Sequence, residues 1–130
     1  MPVLGDEAAA AALIARWKRT CTKLRSGKPT VAALVGRVLG GSLELAAACH
    51  ARIAASGTKL AFPETTVGVI PGLGGCHMVH RASRTDAAAA IDRALLTGAT
   101  ISAETAASWG FVHDVVPVAE LPGKSTAFAR

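Results

Sequence analysis

The chain has 130 residues, of which 51% are hydrophobic and 18% are charged, and its net charge is +5 with the histidines neutral. This length fits a single domain spanning residues 1–130, and the composition excludes an intrinsically disordered protein. No apolar run is long enough for a membrane helix. The acidic start MPVLGDEAAAAALIARW is unlike a secretory signal. The three cysteines have no CxxC spacing, so we predict neither a disulfide framework nor a zinc site. We therefore expect a cytoplasmic protein that does not bind membranes.

A long helix and a strand open the predicted fold. Residues 6–25 begin with acidic and end with basic side chains, which complements the helix dipole, so we predict a leading helix there. Residues 30–39 are β-branched and apolar on both faces, which predicts one buried strand. Gly40 and Gly41 interrupt that strand, and residues 42–49 are predicted to form a helix.

Shorter elements alternate along the rest of the chain. The pattern predicts strands over 52–56, 59–62, 66–70 and 111–116, and helices over 76–82, 86–96 and 102–109. A turn of sequence PGLGG, residues 71–75, separates the third of these strands from the helix after it. Alternation of strands and helices predicts an α/β protein.

Two glycine-rich turns, LGGSLEL and IPGLGG, each open a predicted helix. Amides in the first turn of a helix have no acceptor within the helix, and they point toward an anion or a developing oxyanion. Neither turn has the spacing of a Rossmann or Walker A phosphate loop. Chain reversal with close packing is the alternative explanation for both.

Two carboxylates lie in unusual surroundings. Glu44 falls inside the apolar run SLELAAAC, and Glu64 falls in FPETTVG between two apolar segments. A carboxyl among apolar groups either reaches solvent or has a raised pKa, and two such groups facing one substrate can divide proton donation and abstraction. A solvated helix face or a helix cap is the alternative for each residue taken alone.

The order of these motifs resembles the enoyl-CoA hydratase/isomerase family, also called crotonases. KPTVAALVGRVLGGSLELA is similar to the family's KP-x-IAA-x-NG-x-x-x-GGG-x-ELA, and LAFPETTVGVIPGLGG is similar to F-x-x-PE-x-x-x-G-x-x-PG-x-GG. LLTGATISAETAASWGFVHDVVP resembles a third block, so the resemblance covers residues 28–117. It implies a crotonase-like ββα spiral core, truncated at its N-terminus and shortened at its C-terminus.

The resemblance also implies a chemistry. The family binds acyl-CoA thioesters and stabilises an enolate with two backbone N–H groups, one of which matches Gly41. Glu44 matches the residue that handles the attacking water, and Glu64 matches the residue that exchanges the proton at the α-carbon. The implied activity is hydration of a trans-2-enoyl-CoA. The implied substrate-binding residues are Gly40, Pro71, Gly72, Leu73 and Gly74.

Some family features are missing or altered. The loop F-x-AG-x-D, which supplies the family's other oxyanion amide, does not occur in the sequence. Loss of one oxyanion donor costs about 10²–10³ in turnover. The segment Met1–Asp6 or a neighbouring subunit would have to supply the second N–H. His50 replaces a usual Asp, which we expect to alter a helix-end contact.

Other functions remain open at this stage. An enoyl-CoA isomerase is one alternative, and a non-catalytic truncated homologue acting as a partner subunit is another. The family implies a homo-oligomer, a trimer or hexamer, or else a complementing crotonase chain. We expect the coenzyme A thioester as substrate without a permanently bound cofactor. Sparse aromatic residues disfavour nucleic-acid binding.

A few side chains have both a functional and a structural interpretation. His77 and His80 have a spacing that can ligate metal, but without an evident acidic or cysteine partner we predict no metal site. The basic stretch of Arg81, Arg84 and Arg93 can meet coenzyme A phosphates or form a solvated helix face. Cys49 and Cys76 are expected to be small buried hydrophobic groups, and Trp17 and Trp109 are expected to be packing anchors.

Overall fold

The computed structural model describes residues 6–130, so all of the segment Met1–Asp6 except its last residue lies outside the described residues. The helices are α1 Glu7–Ser26, α2 Gly41–Ala48, α3 Gly75–Arg81, α4 Ala88–Thr97, α5 Ala103–Ser108 and α6 Leu121–Phe128. The strands are β1 Val31–Leu34, β2 Arg37–Leu39, β3 Ala51–Ala55, β4 Lys59–Ala61, β5 Ile101–Ser102 and β6 Asp114–Val116. This arrangement confirms the predicted α/β class.

The described strands form two small sheets. In the first sheet the order is β1-β3-β6 and all pairs are parallel. In the second sheet the order is β2-β4-β5, with β2 parallel and β5 antiparallel to β4. Because β2 and β4 are parallel, the segments that follow them emerge side by side, and these segments carry Gly40 and Glu64.

The core is built largely from small side chains. Alanines of α2 and β3 are at most 7% exposed: Ala46, Ala47, Ala48, Ala51, Ala54 and Ala55. Every residue of β3 is buried, and α2 packs against both α1 and α3. Backbones can approach closely where the side chains are methyl groups, so the helices and sheets are tightly stacked here.

The prediction of one buried strand over 30–39 is wrong. The segment forms two strands in different sheets, and both are partly exposed. Gly36 lies between them at φ 73°, a left-handed conformation that glycine adopts without strain. Its carbonyl accepts a hydrogen bond from Lys59 N (2.8 Å), which starts the second sheet. The chain therefore changes sheets at this glycine.

The extended run predicted over 66–70 is also wrong, because the chain forms a 3₁₀-helix at Pro63–Val67 instead. Pro63 has the φ of a first helical residue, and Gly68 ends the turn at φ 78°. In addition, the strand predicted over 111–116 is limited to β6, because the amides of Phe111 and Val112 bond to the carbonyl of Ala106. The sequence analysis does not predict helix α6.

None of the helices formed by residues 6–130 is long and apolar enough to cross a membrane.

Candidate active site

The site begins at the turn between β2 and α2. Gly40 caps the helix at φ 54° and ψ −127°, and its N–H donates to Ala61 O at the end of β4 (2.9 Å). Gly41 is the first residue of α2, so its own N–H has no acceptor one turn earlier in the helix. The turn thus presents a free amide beside the end of β4, as the sequence analysis expected for this motif.

Glu44 is buried, with only 2% of its surface exposed. Its Oε1 accepts hydrogen bonds from the backbone amides of Leu73 (3.0 Å) and Gly75 (2.7 Å). Burial raises the pKa of Glu44, the two amides oppose that increase, and the charge of Glu64 adds to it. The solvated-face alternative for Glu44 is therefore wrong.

Glu64 lies on the 3₁₀-helix that follows β4, and its side chain turns toward Gly40. A Cβ atom at Gly40 would be 2.8 Å from Glu64 Oε1, so the absence of a side chain at position 40 makes room for the carboxylate. Glu64 Oε2 is buried and has no hydrogen-bond partner among residues 6–130. Such an atom is costly to leave without a partner, and it is available to a bound molecule.

The two carboxylates meet at the glycine turn. A Cβ at Gly41 would be 3.9 Å from Glu44 Oε2, from Leu73 Cδ1 and from Trp17 Cη2. Glu44 has Oε1 fixed by backbone amides, and its Oε2 lies beside Gly41 at the start of α2. Two carboxylates and the first residue of α2 therefore lie within one small region.

The turn PGLGG holds Glu44 in place. Pro71 is buried, Gly72 is exposed, and Gly74 caps α3 at φ 107°. Leu73 supplies one of the two amides that bind Glu44. Contact of Gly40 or of these turn residues with substrate stays a prediction.

Gly75 is a site residue that the sequence analysis did not single out. A Cβ there would be 2.8 Å from Glu44 Cγ and 2.9 Å from Phe62 Cε1, so only glycine fits without displacing them. The two consecutive glycines of the PGLGG turn could have indicated this role, because Gly74 caps α3 and Gly75 leaves room for the Glu44 carboxylate.

His50 bonds to Thr30, just before β1, through both its ring and its backbone. Thr30 N donates to His50 Nδ1 (3.2 Å), and His50 N donates to Thr30 Oγ1 (3.2 Å). The imidazole occupies the acceptor role that a carboxylate can play, and it bridges the end of α2 to the start of β1.

The remaining polar candidates lie outside the carboxylate pair. His80 Nε2 is 2.9 Å from Asp92 Oδ1, so an acidic partner does accompany one of the two histidines, contrary to the sequence analysis. No group of three His, Cys, Asp or Glu residues in the described part of the chain could hold a metal ion. Arg84 pairs with Asp86 (2.6 Å) on the surface.

The two cysteines expected to be buried are both more accessible than predicted. Cys49 is half-buried at the end of α2, and Cys76 is exposed in the first turn of α3. Trp17 and Trp109 are half-buried and pack against the core, as expected for anchors.

Comparisons with known proteins identify the family. The model of the enoyl-CoA hydratase/isomerase family matches residues 7–130. The glyoxysomal fatty acid beta-oxidation multifunctional protein MFP-a of Brassica napus is 47% identical over 94 residues, which are 72% of this chain and 13% of that protein. The (E)-benzylidenesuccinyl-CoA hydratase of Thauera aromatica is 37% identical over 107 residues, which are 82% of this chain and 41% of that protein.

A solved structure has the same fold. The enoyl-CoA hydratase of Bacillus anthracis superimposes with a TM-score of 0.85 at 34% identity, covering 95% of this chain and 47% of that one. The chain thus spans less than half the length of these relatives. The match over residues 7–130 nevertheless includes both glutamates and both glycine turns, and the chain belongs to the enoyl-CoA hydratase/isomerase family.

Proposed function

We propose that this chain provides the acid–base half of an enoyl-CoA hydratase site, which adds water to a trans-2-enoyl-CoA. The observation that carries the proposal is the convergence of Glu44 and Glu64 on the turn formed by Gly40 and Gly41. The coenzyme A thioester is the substrate in this proposal, and no permanently bound cofactor takes part.

The two carboxylates have different surroundings, which suits different roles. Glu44 has Oε1 fixed by two amides, and its raised pKa makes it a stronger base than an ordinary carboxylate. We assign it the water, whose oxygen adds to the β-carbon while the carboxylate takes a proton. Glu64 has the free buried oxygen Oε2 and passes a proton to the α-carbon. The proton that Glu44 took from the water then replaces the one that Glu64 gave up, so both carboxylates return to their starting states. One water is consumed, and its two parts add to the same face of the double bond.

Charge develops on the thioester oxygen as water adds, and the amide of Gly41 is the donor we assign to it. The positive end of α2 adds to that stabilisation. Family members use a second amide from the F-x-AG-x-D loop, and this motif does not occur in the sequence. We therefore expect the isolated chain to be about 10²–10³-fold slower than an enzyme with both donors.

The decisive experiment follows crotonyl-CoA hydration by the purified chain through loss of the conjugated-enoyl absorbance. Glu64→Gln should lower turnover by about 10²–10⁴-fold, the usual contribution of a general acid or base, while acyl-CoA binding is retained. Glu104→Gln is the matched control, because Glu104 is exposed on α5. Unchanged turnover in Glu64→Gln would overturn the assignment. A 3-enoyl-CoA substrate in the same assay tests the isomerase alternative.

A second candidate function is a non-catalytic half that associates with a complementing chain. In the described residues, β1 and β2 each form the edge of a sheet, and Val35, Val67 and Ile70 are 57%, 75% and 72% exposed. Unpaired strand edges and exposed apolar residues are each typical of a surface that another chain covers. Co-expression with the N-terminal half of a full-length hydratase tests this candidate. Hydration that requires both chains would support it, and a monomer with full activity would contradict it.

A further inference from the structure

A pocket lies at the C-terminal end of α2, opposite to Gly41. It has a volume of about 220 Å³ and is lined by Arg25, Cys49, His50, Arg52 and Arg81, with Ala47, Met78 and Ala82 completing its wall. We call it the basic pocket, because no acidic side chain lines it.

Arg52 is the most informative residue of the basic pocket. It lies on β3 and is only 2% exposed, although arginine is rarely buried without an acidic partner. Its Nε donates to Phe111 O, and its Nη1 donates to Cys49 O (2.8 Å) at the end of α2. Burial lowers its pKa to about 10.

No carboxylate supplies that compensation in the described part of the chain. Within residues 6–130 the ion pairs join His80 with Asp92 and Arg84 with Asp86, and both pairs lie outside the basic pocket. His50 adds no negative charge. The guanidinium of Arg52 instead contacts the carbonyls of Ala46, Cys49 and Phe111 and the ring of Phe111, none of which carries a full negative charge.

The negative C-terminal ends of nearby helices balance only part of the positive charge in the basic pocket. Arg25 is in the last turn of α1, Cys49 caps α2, and Arg81 is the last residue of α3, so three helix C-termini face this region. Each terminus carries about half an elementary negative charge, which makes about 1.5 in total. Three guanidinium groups exceed that amount, and a surplus of about 1.5 positive charges remains.

We propose that the basic pocket binds a phosphate group, held by Arg25, Arg52 and Arg81. Planar guanidinium groups match phosphate oxygens in pairs, and a doubly charged anion is close to the surplus charge. The site is separate from the carboxylate pair, because α2 and α3 both begin at the carboxylates and end at the basic pocket. Eight helical residues place the two ends of α2 about 12 Å apart. The proposal therefore stands independently of the hydratase assignment.

The test is a titration of the ¹⁵N-labelled chain with sodium phosphate at constant ionic strength, following the amide signals of Cys49 and His50. Arg25→Gln and Arg81→Gln should each weaken binding by about tenfold or more, as expected for loss of a charge-assisted hydrogen bond. Both side chains are exposed, so the variants should fold like the parent chain. Arg93→Gln on α4 is the control, because Arg93 is exposed and lies outside the basic pocket.

Titrations with different ligands identify which kind of molecule supplies the phosphate. Inorganic phosphate tests the free anion, and coenzyme A compared with dephospho-coenzyme A tests a terminal phosphate on a larger molecule. Saturable shifts that weaken in Arg25→Gln and Arg81→Gln but not in Arg93→Gln would support the proposal. Absence of saturation with every probe, or equal binding by all variants, would overturn it and leave the arginines as helix-end contacts alone.

Discussion

Glu44 Oε1 lies 2.7 Å from the amide nitrogen of Gly75, which is 31 residues further along the chain. This bond joins the first turn of α2 to the first turn of α3, so the two helix starts are fixed to each other through one carboxylate. The amide of Leu73 completes the arrangement at 3.0 Å. The orientation of Glu44 is thus set by backbone groups, whose positions do not depend on side-chain rotamers.

Gly75→Ala should therefore disrupt both folding and activity. The new methyl group would come within 2.8 Å of Glu44 Cγ and 2.9 Å of Phe62 Cε1, and overpacking of this kind costs about 1–3 kcal/mol. Urea denaturation measures the loss. Gly123→Ala is the control, because nothing lies within 4 Å of its new methyl group and it sits within α6. Equal stability of the two variants would contradict the close contact at Glu44.

Gly40→Ala should reduce turnover beyond its cost in stability. Its φ of 54° strains any L side chain, and the methyl group would also displace Glu64 Oε1, which lies 2.8 Å from the new atom. Gly57→Ala has similar strain at φ 81° without a neighbour within 4 Å. Denaturation and crotonyl-CoA hydration measured on both variants separate the two effects. A similar turnover in both would indicate that Glu64 does not need the space at position 40.

The stability of the protein should depend on pH through Glu44. Its pKa is raised in the folded state above the value of 4.5 that it has when unfolded, so the folded state holds the proton more tightly. This contribution to stability is fully present below the unfolded pKa and is lost as pH rises through the folded pKa. Glu44→Gln removes the titration and can still accept both amide bonds. Its stability relative to the parent should therefore increase from pH 4.5 toward neutrality, as measured by urea unfolding across that range.

The same series has a built-in control. Glu104→Gln removes an exposed carboxylate whose pKa is lowered in the folded state, chiefly by backbone hydrogen bonding, so its effect on the pH slope should have the opposite sign. A parallel pH dependence in the parent chain and in Glu44→Gln would contradict the burial of an ionisable Glu44.

His50→Asp should be tolerated better than His50→Ala. Aspartate keeps an acceptor for Thr30 N, whereas alanine leaves that amide without its partner. Loss of one such hydrogen bond costs about 0.5–1.5 kcal/mol. Thermal or urea denaturation of both variants measures the difference. Equal destabilisation would show that the bridge from α2 to β1 contributes little.

The sequence predicts the local elements better than their assembly. The glycine turn at Gly40 and Gly41, the helix after it and the two glutamates were all identifiable, because each depends on neighbouring residues. The change of sheet at Gly36 was missed, because an apolar run looks the same whether it feeds one sheet or two. The segment after Glu64 was predicted wrongly, since Pro63 and Gly68 favour a 3₁₀-helix over the β-branched pattern.

The sequence could not predict the bonds that hold Glu44. A sequence pattern cannot show that Leu73 and Gly75 donate to Glu44, because that contact depends on how α2 and α3 dock. The exposure of Cys76 was missed for a related reason, since it follows from which face of α3 is covered.

The alanine-built centre of this protein has a consequence for how it tolerates mutation. Truncation, which usually damages a hydrophobic core most, can remove only one methyl group from Ala48 or Ala54, and each has 0% of its surface exposed. The damage from a larger side chain is not limited in this way, because a valine at either buried position must displace the atoms packed around it. The size of the side chain is therefore what restricts variation at these positions. In a library of variants, larger residues at Ala48 or Ala54 should be depleted more strongly than glycine.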